Sequence, residues 1–317
     1  MRLGEASRDA YDTQPTAAPT IVTAASASRR AALVALALPT LIWSYNWIVM
    51  KQALAYSGPF EFSALRYIGG SVVLFVVLMI RGEPLRPPPL LPTAMIGLAQ
   101  TMGFQALVQW ALVDGGAGKT ALLAYSMPFW LVVLGWVLWK ERPGLLVVCA
   151  LAIAAIGLTL VLEPWLGLGN AKSSALALGG GLAWAIGVAL TKRLFDRDDV
   201  SALSLTAWQM LIGSLGLVAI ALLIPERSIE WSPWFIAALT YNTVLASGLA
   251  WLLWSFVVAR LPANIAGLSS LVIPIAGVGF AWALLGERPS RIECVGIVCI
   301  GIALALVNLQ PARAKTA

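Results

Sequence analysis

Long apolar stretches of this chain carry polar and aromatic side chains at helical spacing. Trp43, Asn46 and Met50 recur at intervals of three and four residues, which sets them on one helical face. Gln105 and Gln109 stand one turn apart, with Gln100 earlier in the same stretch. Tyr125 and Ser126 precede Pro128, Ser269 and Ser270 precede Pro274, and Tyr241, Asn242, Ser247, Trp251 and Trp254 crowd together. Indole faces and amide dipoles of this kind can hold an amphipathic molecule by stacking and hydrogen bonding. They cannot move protons: histidine is absent and the uncharged runs contain no Asp or Glu. The expected binding residues are Trp43, Asn46, Gln105, Gln109, Tyr125, Trp184 and Trp251, with no catalytic residue. Pro128 and Pro274 loosen backbone hydrogen bonds and are expected to act as hinges.

No cofactor or metal is expected. Cys149, Cys294 and Cys299 all lie in apolar runs without zinc spacing, and read as free thiols behaving like small hydrophobes. VDGGAGKT, residues 113–120, imitates a phosphate-binding loop, but Val113 stands where that motif requires glycine.

The surrounding composition says which elements must position these residues. The 317 residues are 60% hydrophobic and 11% charged, against about 25% charged in an ordinary soluble domain. So little charge cannot cover a surface that faces water, so the expected partner is a lipid bilayer. The 14 Trp agree, because Trp gathers at membrane interfaces. The net charge of +6 forms no basic face, since Lys and Arg sit at the ends of apolar runs; no nucleic acid is expected.

A helix needs about 20 apolar residues to cross a bilayer. Uncharged runs occupy 31–50, 87–113, 120–139, 143–162, 173–191, 200–225, 231–259, 261–286 and 294–312, and 62–80 is interrupted by Arg66 alone. The expectation is an all-α integral membrane protein of ten transmembrane helices. Residues 1–30 are polar and read as a disordered cytoplasmic tail; the run after Arg29 and Arg30 is too long for a cleavable signal. Arg66 lies about 7 Å into its span at 1.5 Å per residue, close enough to snorkel outward. That structural reading is preferred over binding of a carboxylate, and the cavity is expected to hold no fixed charge at its middle.

WVLWKERP at 136–143 returns as WALLGERP at 282–289. At the same offset of 146, Pro128 aligns with Pro274, Ile156 with Ile302 and Leu160 with Leu306. Trp43 aligns with Trp184 at 141, and Gly70-Ser71 with Gly213-Ser214 at 143. The expected divisions are a first five-helix repeat at 31–165, a second at 166–311 and a cytoplasmic tail at 312–317. An odd number of spans makes the second copy enter from the opposite side, an inverted repeat whose site lies at the repeat interface. The positive-inside bias, 14 basic residues against 6, places both termini in the cytoplasm. Pro143 and Pro289 suit the first turn of the next helix, and Glu141 and Glu287 suit its positive end. The tripeptide is boundary chemistry.

A proline-bearing helix that ends in Glu-Arg and is followed by an apolar helix, present twice, resembles the ten-helix EamA-type exporters of the drug/metabolite transporter superfamily. FSALRYIGG in the second span is similar too. The resemblance covers roughly 31–310 and is closest to bacterial exporters of aromatic and other amino acids. It implies a small-molecule substrate, an inner-membrane location and a pathway within one chain, functional as a monomer. Because the spans hold no titratable acid, the expected carrier is a facilitator working by alternating access. The alternative is export of other metabolites or drugs, with proton coupling. A membrane enzyme would need acids, bases or metal ligands, and a channel would not saturate.

Inversion predicts that residues 140–142 and 287–291 face opposite sides. Single cysteines in the two loops, introduced after removal of the native ones, should react with an impermeant thiol reagent from opposite faces. Labelling of both from one face would refute the inversion.

Overall fold

The structure, a computed structural model, describes residues 20–140, 142–166, 170–285 and 290–308. Glu141, Glu287, Arg288 and Pro289 of the repeated tripeptide lie outside the described residues, as do 1–19 and 309–317 of the two tails. Lipid offers no hydrogen bonds to a bare backbone, so a spanning segment must satisfy its own and becomes a helix. Accordingly every long element among the described residues is helical.

The helices are α1 (Thr20–Ala53), α2 (Pro59–Ile80), α3 (Leu90–Ile96), α4 (Phe104–Asp114), α5 (Ala117–Ala124), α6 (Met127–Trp139) and α7 (Leu145–Leu162). There follow α8 (Ala171–Arg197), α9 (Ala202–Leu223), α10 (Pro233–Tyr241), α11 (Ala250–Arg260), α12 (Ala263–Ser269), α13 (Val272–Leu285) and α14 (Arg291–Asn308). Among the described residues six segments are long and apolar enough to cross a membrane: Pro59–Ile80, Ala117–Leu138, Leu145–Leu162, Ala171–Arg197, Ala202–Leu223 and Pro233–Arg260. α1 starts at Thr20, inside the stretch that composition assigns to a tail. The Ala-rich residues there have the propensity to extend a helix already nucleated by the apolar run.

Two rods contain wide turns. A π-helical segment, Gly97–Gly103, joins α3 to α4, and another, Asn242–Leu249, joins α10 to α11. Such segments are rare and occur frequently at functional sites. Each packs against a helix from the other half of the chain, the first on α9 and the second on α2. Glycine permits both approaches. A Cβ on Gly213 would run into the Gly97 carbonyl, and one on Gly70 would meet Thr243 and Ser247. α7 and α14 cross in the same way: a Cβ on Gly157 would lie 2.7 Å from the Gly296 carbonyl oxygen, and one on Gly296 would lie 2.7 Å from that of Gly157. Small residues let backbones close up where lipid supplies no hydrophobic drive between helices.

Two other rods are broken. Tyr125 and Ser126 separate α5 from α6, and Ser270 and Leu271 separate α12 from α13. Pro128 and Pro274 stand in the first turns of the restarted helices, where no intrahelical donor is lost. The free thiols are expected to be buried, but Cys149 on α7 and Cys294 on α14 are exposed and Cys299 is half-buried, because an apolar helix need not turn its small residues inward.

At one end of the bundle α2 lacks a cap of its own. Gly58 precedes it and Pro59 opens it, so the Phe60 and Glu61 amides need an acceptor from elsewhere. Glu226, in the loop after α9, supplies both: Phe60 N–H donates at 2.9 Å and Glu61 N–H at 2.7 Å. Gly58 leaves the room, since a Cβ there would collide with the Glu226 side chain. Removing this carboxylate as Glu226→Ala should cost about 0.5–2 kcal/mol, the usual worth of an N-cap. Thermal melting in detergent checks this, and an unchanged midpoint would deny the cap its role.

Candidate functional site

The rings predicted from separate stretches meet at one place. Trp43 comes from α1, Trp184 from the middle of α8, Trp251 and Trp254 from α11, and Phe104 from the start of α4. Trp43 and Trp184 stand edge to face, with centroids 6.2 Å apart and planes at 89°. Trp251 lies 5.1 Å from Trp43 and 6.1 Å from Trp184, and Phe104 lies 5.1 Å from Trp184. Tyr125, at the α5–α6 break, closes the group 5.5 Å from Trp184. The aromatic quadrupole favours such tilted and edge-on pairs. Trp43 is fixed by its indole N–H, which donates to the Ala246 carbonyl at 2.9 Å, within the second π segment.

These rings enclose a cavity of about 30 Å³ lined by Trp43, Asn46, Trp47, Met50, Arg66, Tyr67, Phe104, Gln105, Val108, Tyr125, Trp184 and Trp251. About 10–15 Å³ of such space holds one water, so the cavity has room for only two or three. A larger molecule enters only when the rings part. Three polar side-chain atoms of the lining residues have no hydrogen-bond partner: Asn46 Oδ1, Arg66 Nε and Trp184 Nε1.

Arg66 overturns the expectation that it snorkels. It is 2% exposed and lines the cavity. Its Nη1 donates to Asn242 Oδ1 at 2.5 Å, and its Nη2 donates to Gln105 Oε1 at 2.7 Å and to the Tyr67 hydroxyl at 3.1 Å. The guanidinium carbon lies 4.7 Å from the Tyr67 ring centroid. Snorkelling assumes a lipid-facing helix side, but α4 and the π segment at Asn242–Leu249 pack on α2 and present two amides to the guanidinium. The cavity therefore does hold a fixed charge, contrary to the sequence reading. Depth along a helix was legible in the sequence, and direction around it was not.

Six of the seven expected binding residues line the cavity: Trp43, Asn46, Gln105, Tyr125, Trp184 and Trp251. Gln109 does not; it is fully buried a turn away, with both amide atoms unpartnered. Tyr67, Trp47 and Phe104 went unselected. Tyr67 has a purpose evident only in space, because its hydroxyl accepts from Trp251 Nε1 at 2.8 Å as well as from Arg66. Among the described residues no group of His, Cys, Asp and Glu is placed to hold a metal ion.

Known proteins share this architecture. A solved crystal structure superposes with a TM-score of 0.73 over 88% of this chain and 97% of its own, at 19% identity, which speaks to the fold. The uncharacterised transporter YoaV of Bacillus subtilis (strain 168) is 26% identical over 273 residues, 83% of this chain and 92% of the relative. A probable amino-acid metabolite efflux pump of Salmonella typhimurium is 27% identical over 283 residues, 86% and 93% of the two chains. One of the same description from Escherichia coli (strain K12) is 24% identical over 288 residues, 86% and 93%. The pattern of the EamA-like transporter family matches twice, at residues 30–163 and again at 171–309. With two family units in sequence, apolar spanning helices and a ring-lined cavity between them, the chain belongs to the EamA-like transporter family and is a multi-pass membrane transporter.

Proposed function

We propose that this protein exports amino acids with apolar or aromatic side chains across a bacterial inner membrane, as a monomeric facilitator with alternating access. The observation that carries this reading is the cage in which Trp43 and Trp184, aligned in the two halves, meet edge to face beside a small cavity. Indole rings suit the apolar side chain of a substrate, and Asn46 Oδ1 and Trp184 Nε1 are free to bond its polar end. Two relatives named as probable amino-acid metabolite efflux pumps support the substrate class.

In this reading ten spans form two inverted five-helix units, 31–165 and 166–311, with both termini cytoplasmic. One unit rocks against the other, with Pro128 and Pro274 at the helix breaks as hinges. Those breaks suit the task, because the backbone there is already free of regular i to i−4 bonding. In this reading the small cavity enlarges, open to one side at a time, as the rings separate.

Counterflow in proteoliposomes across amino acids, nucleosides and cationic drugs tests the substrate class. Exchange of phenylalanine or tryptophan is expected, and its absence alongside exchange of another class would replace the reading. Trp43→Ala and Trp184→Ala should weaken transport of large aromatic substrates by about 1–3 kcal/mol of lost burial. Parental kinetics in well-folded variants would place the site elsewhere.

The facilitator reading rests on the uncharged runs, which contain no Asp or Glu; Glu61 stands in the first turn of α2 and Glu293 in that of α14. At the bundle end, burial pushes the Glu226 carboxyl up from its ordinary value, the Phe60 and Glu61 amides pull it down, and the nearby Glu61 carboxylate pushes it up. Under an imposed pH gradient, substrate should equilibrate without accumulating. Accumulation that collapses with a protonophore would overturn the facilitator, and its loss in Glu226→Gln would identify the acid responsible.

A further inference from the structure

The cavity contains a charge without a counter-charge. Arg66 is buried, and a guanidinium stays protonated at any accessible pH. Its partners Asn242, Gln105 and Tyr67 are all neutral, and the ion pairs among the described residues, Arg81–Glu83 and Lys192–Asp196, do not involve it. Its Nε is buried without a hydrogen-bond acceptor. Burying an unpaired charge is expensive, and amide dipoles offset only part of that expense. The missing negative charge has an evident source, because Arg66 lines the cavity that substrate must occupy.

Resting on the transport reading above, we propose that Arg66 is an anion subsite that takes the substrate's carboxylate, so that the cavity selects molecules with a carboxylate beside an apolar body. The guanidinium edge is a planar fork matched to a carboxylate. Nε supplies a donor not yet used and Nη1 has given only one of its two hydrogens; Nη2 has given both, so a carboxylate that grips the planar fork takes one of them over from Gln105 or Tyr67. Tyr67 braces the guanidinium: its hydroxyl oxygen accepts from Trp251 Nε1 and Arg66 Nη2, and it is also hydrogen-bonded to the Gln105 side chain. The substrate's ammonium faces Asn46 Oδ1, a buried acceptor without a partner, and the electron-rich indole faces. The apolar side chain packs between Trp43 and Trp184 once these rings, now in edge-to-face contact, have parted. A cationic amine of the same shape brings no counter-charge and adds repulsion from Arg66.

The test separates this subsite from the wider reading. In proteoliposomes exchanging labelled phenylalanine, the competitors are 3-phenylpropionate, phenylalaninamide, phenethylamine and phenyl phosphate. A charge-assisted pair makes 3-phenylpropionate stronger than phenethylamine by about tenfold or more. Phenyl phosphate tells a carboxylate site from a general anion site: weaker competition than 3-phenylpropionate is expected, and stronger competition would overturn the carboxylate assignment. In Arg66→Gln the preference for 3-phenylpropionate over the amine should fall to near one. Arg66→Lys, which keeps charge without the fork, should retain a reduced preference. A preference that survives intact in a folded Arg66→Gln would overturn the proposal, as would equal competition by acid and amine in the parent. The same compounds are also scored by their thermal stabilisation of detergent-solubilised protein, which needs no transport. If phenylalanine is not exchanged, the amino-acid reading fails. The subsite then stands if 3-phenylpropionate stabilises the parent but not Arg66→Gln, and falls if it stabilises both equally or neither.

Discussion

Hydrocarbon will not solvate a guanidinium, so the protein must surround Arg66 with its own dipoles, and much of the interior is arranged around that need. The amides come from opposite halves of the chain: Gln105 from α4 and Asn242 from the π segment before α11. Each lies in or beside a π turn, and the π turns come close to α2 and α9 only because glycines stand at the crossings. The hydrogen-bond chain continues through Tyr67 to the Trp251 indole, tying the charge to the aromatic cage. A movement of the rings is therefore felt at the charge.

The two halves share a scaffold and differ in chemistry. At the offset that aligns Gly70 with Gly213, Arg66 corresponds to Gln209. Gln209 Oε1 accepts from Thr101 at 2.8 Å, a neutral bond to the other π segment. One copy thus keeps a charged contact and its counterpart a neutral one, in matching positions on α2 and α9. Duplication fixes where the helices cross, and divergence at one position makes the cavity asymmetric. An asymmetric cavity can orient a polar molecule, whereas a symmetric one would present the same face to both of its ends.

Backbone irregularity occurs in and beside the aromatic cage. The π turns and the breaks before Met127 and Val272 fall in rods that border the cage or pack beside it, while α2, α7, α8 and α9 run without interruption. Regular helices give the frame its rigidity. Broken ones expose carbonyls that side chains can use, as Trp43 uses Ala246 and Ser44 uses Ile273. Such bonds cross between α1 and the second half and hold the first helix against it.

Composition and run length were enough to place this chain in a bilayer as helices, because the hydrocarbon imposes one backbone solution on any long apolar stretch. The duplicated Trp, Pro and Glu-Arg-Pro were enough to identify the family, and the aligned Trp43 and Trp184 to nominate two residues that face each other. Periodicity could set Trp43, Asn46 and Met50 on one face, since that depends on neighbours along the helix. Which way a face turns depends on what packs there. Arg66 sits at a depth from which snorkelling is possible, and only the amides of α4 and the second π segment decide that it turns inward. Gln109 shares its face with Gln105, yet the closing of the helices leaves it a turn away from the cavity. Tyr67, Trp47 and Phe104 were no more distinctive than other aromatics until the fold brought them to the cage. Side-chain type is local information, and the direction in which a buried side chain points is set by long-range packing.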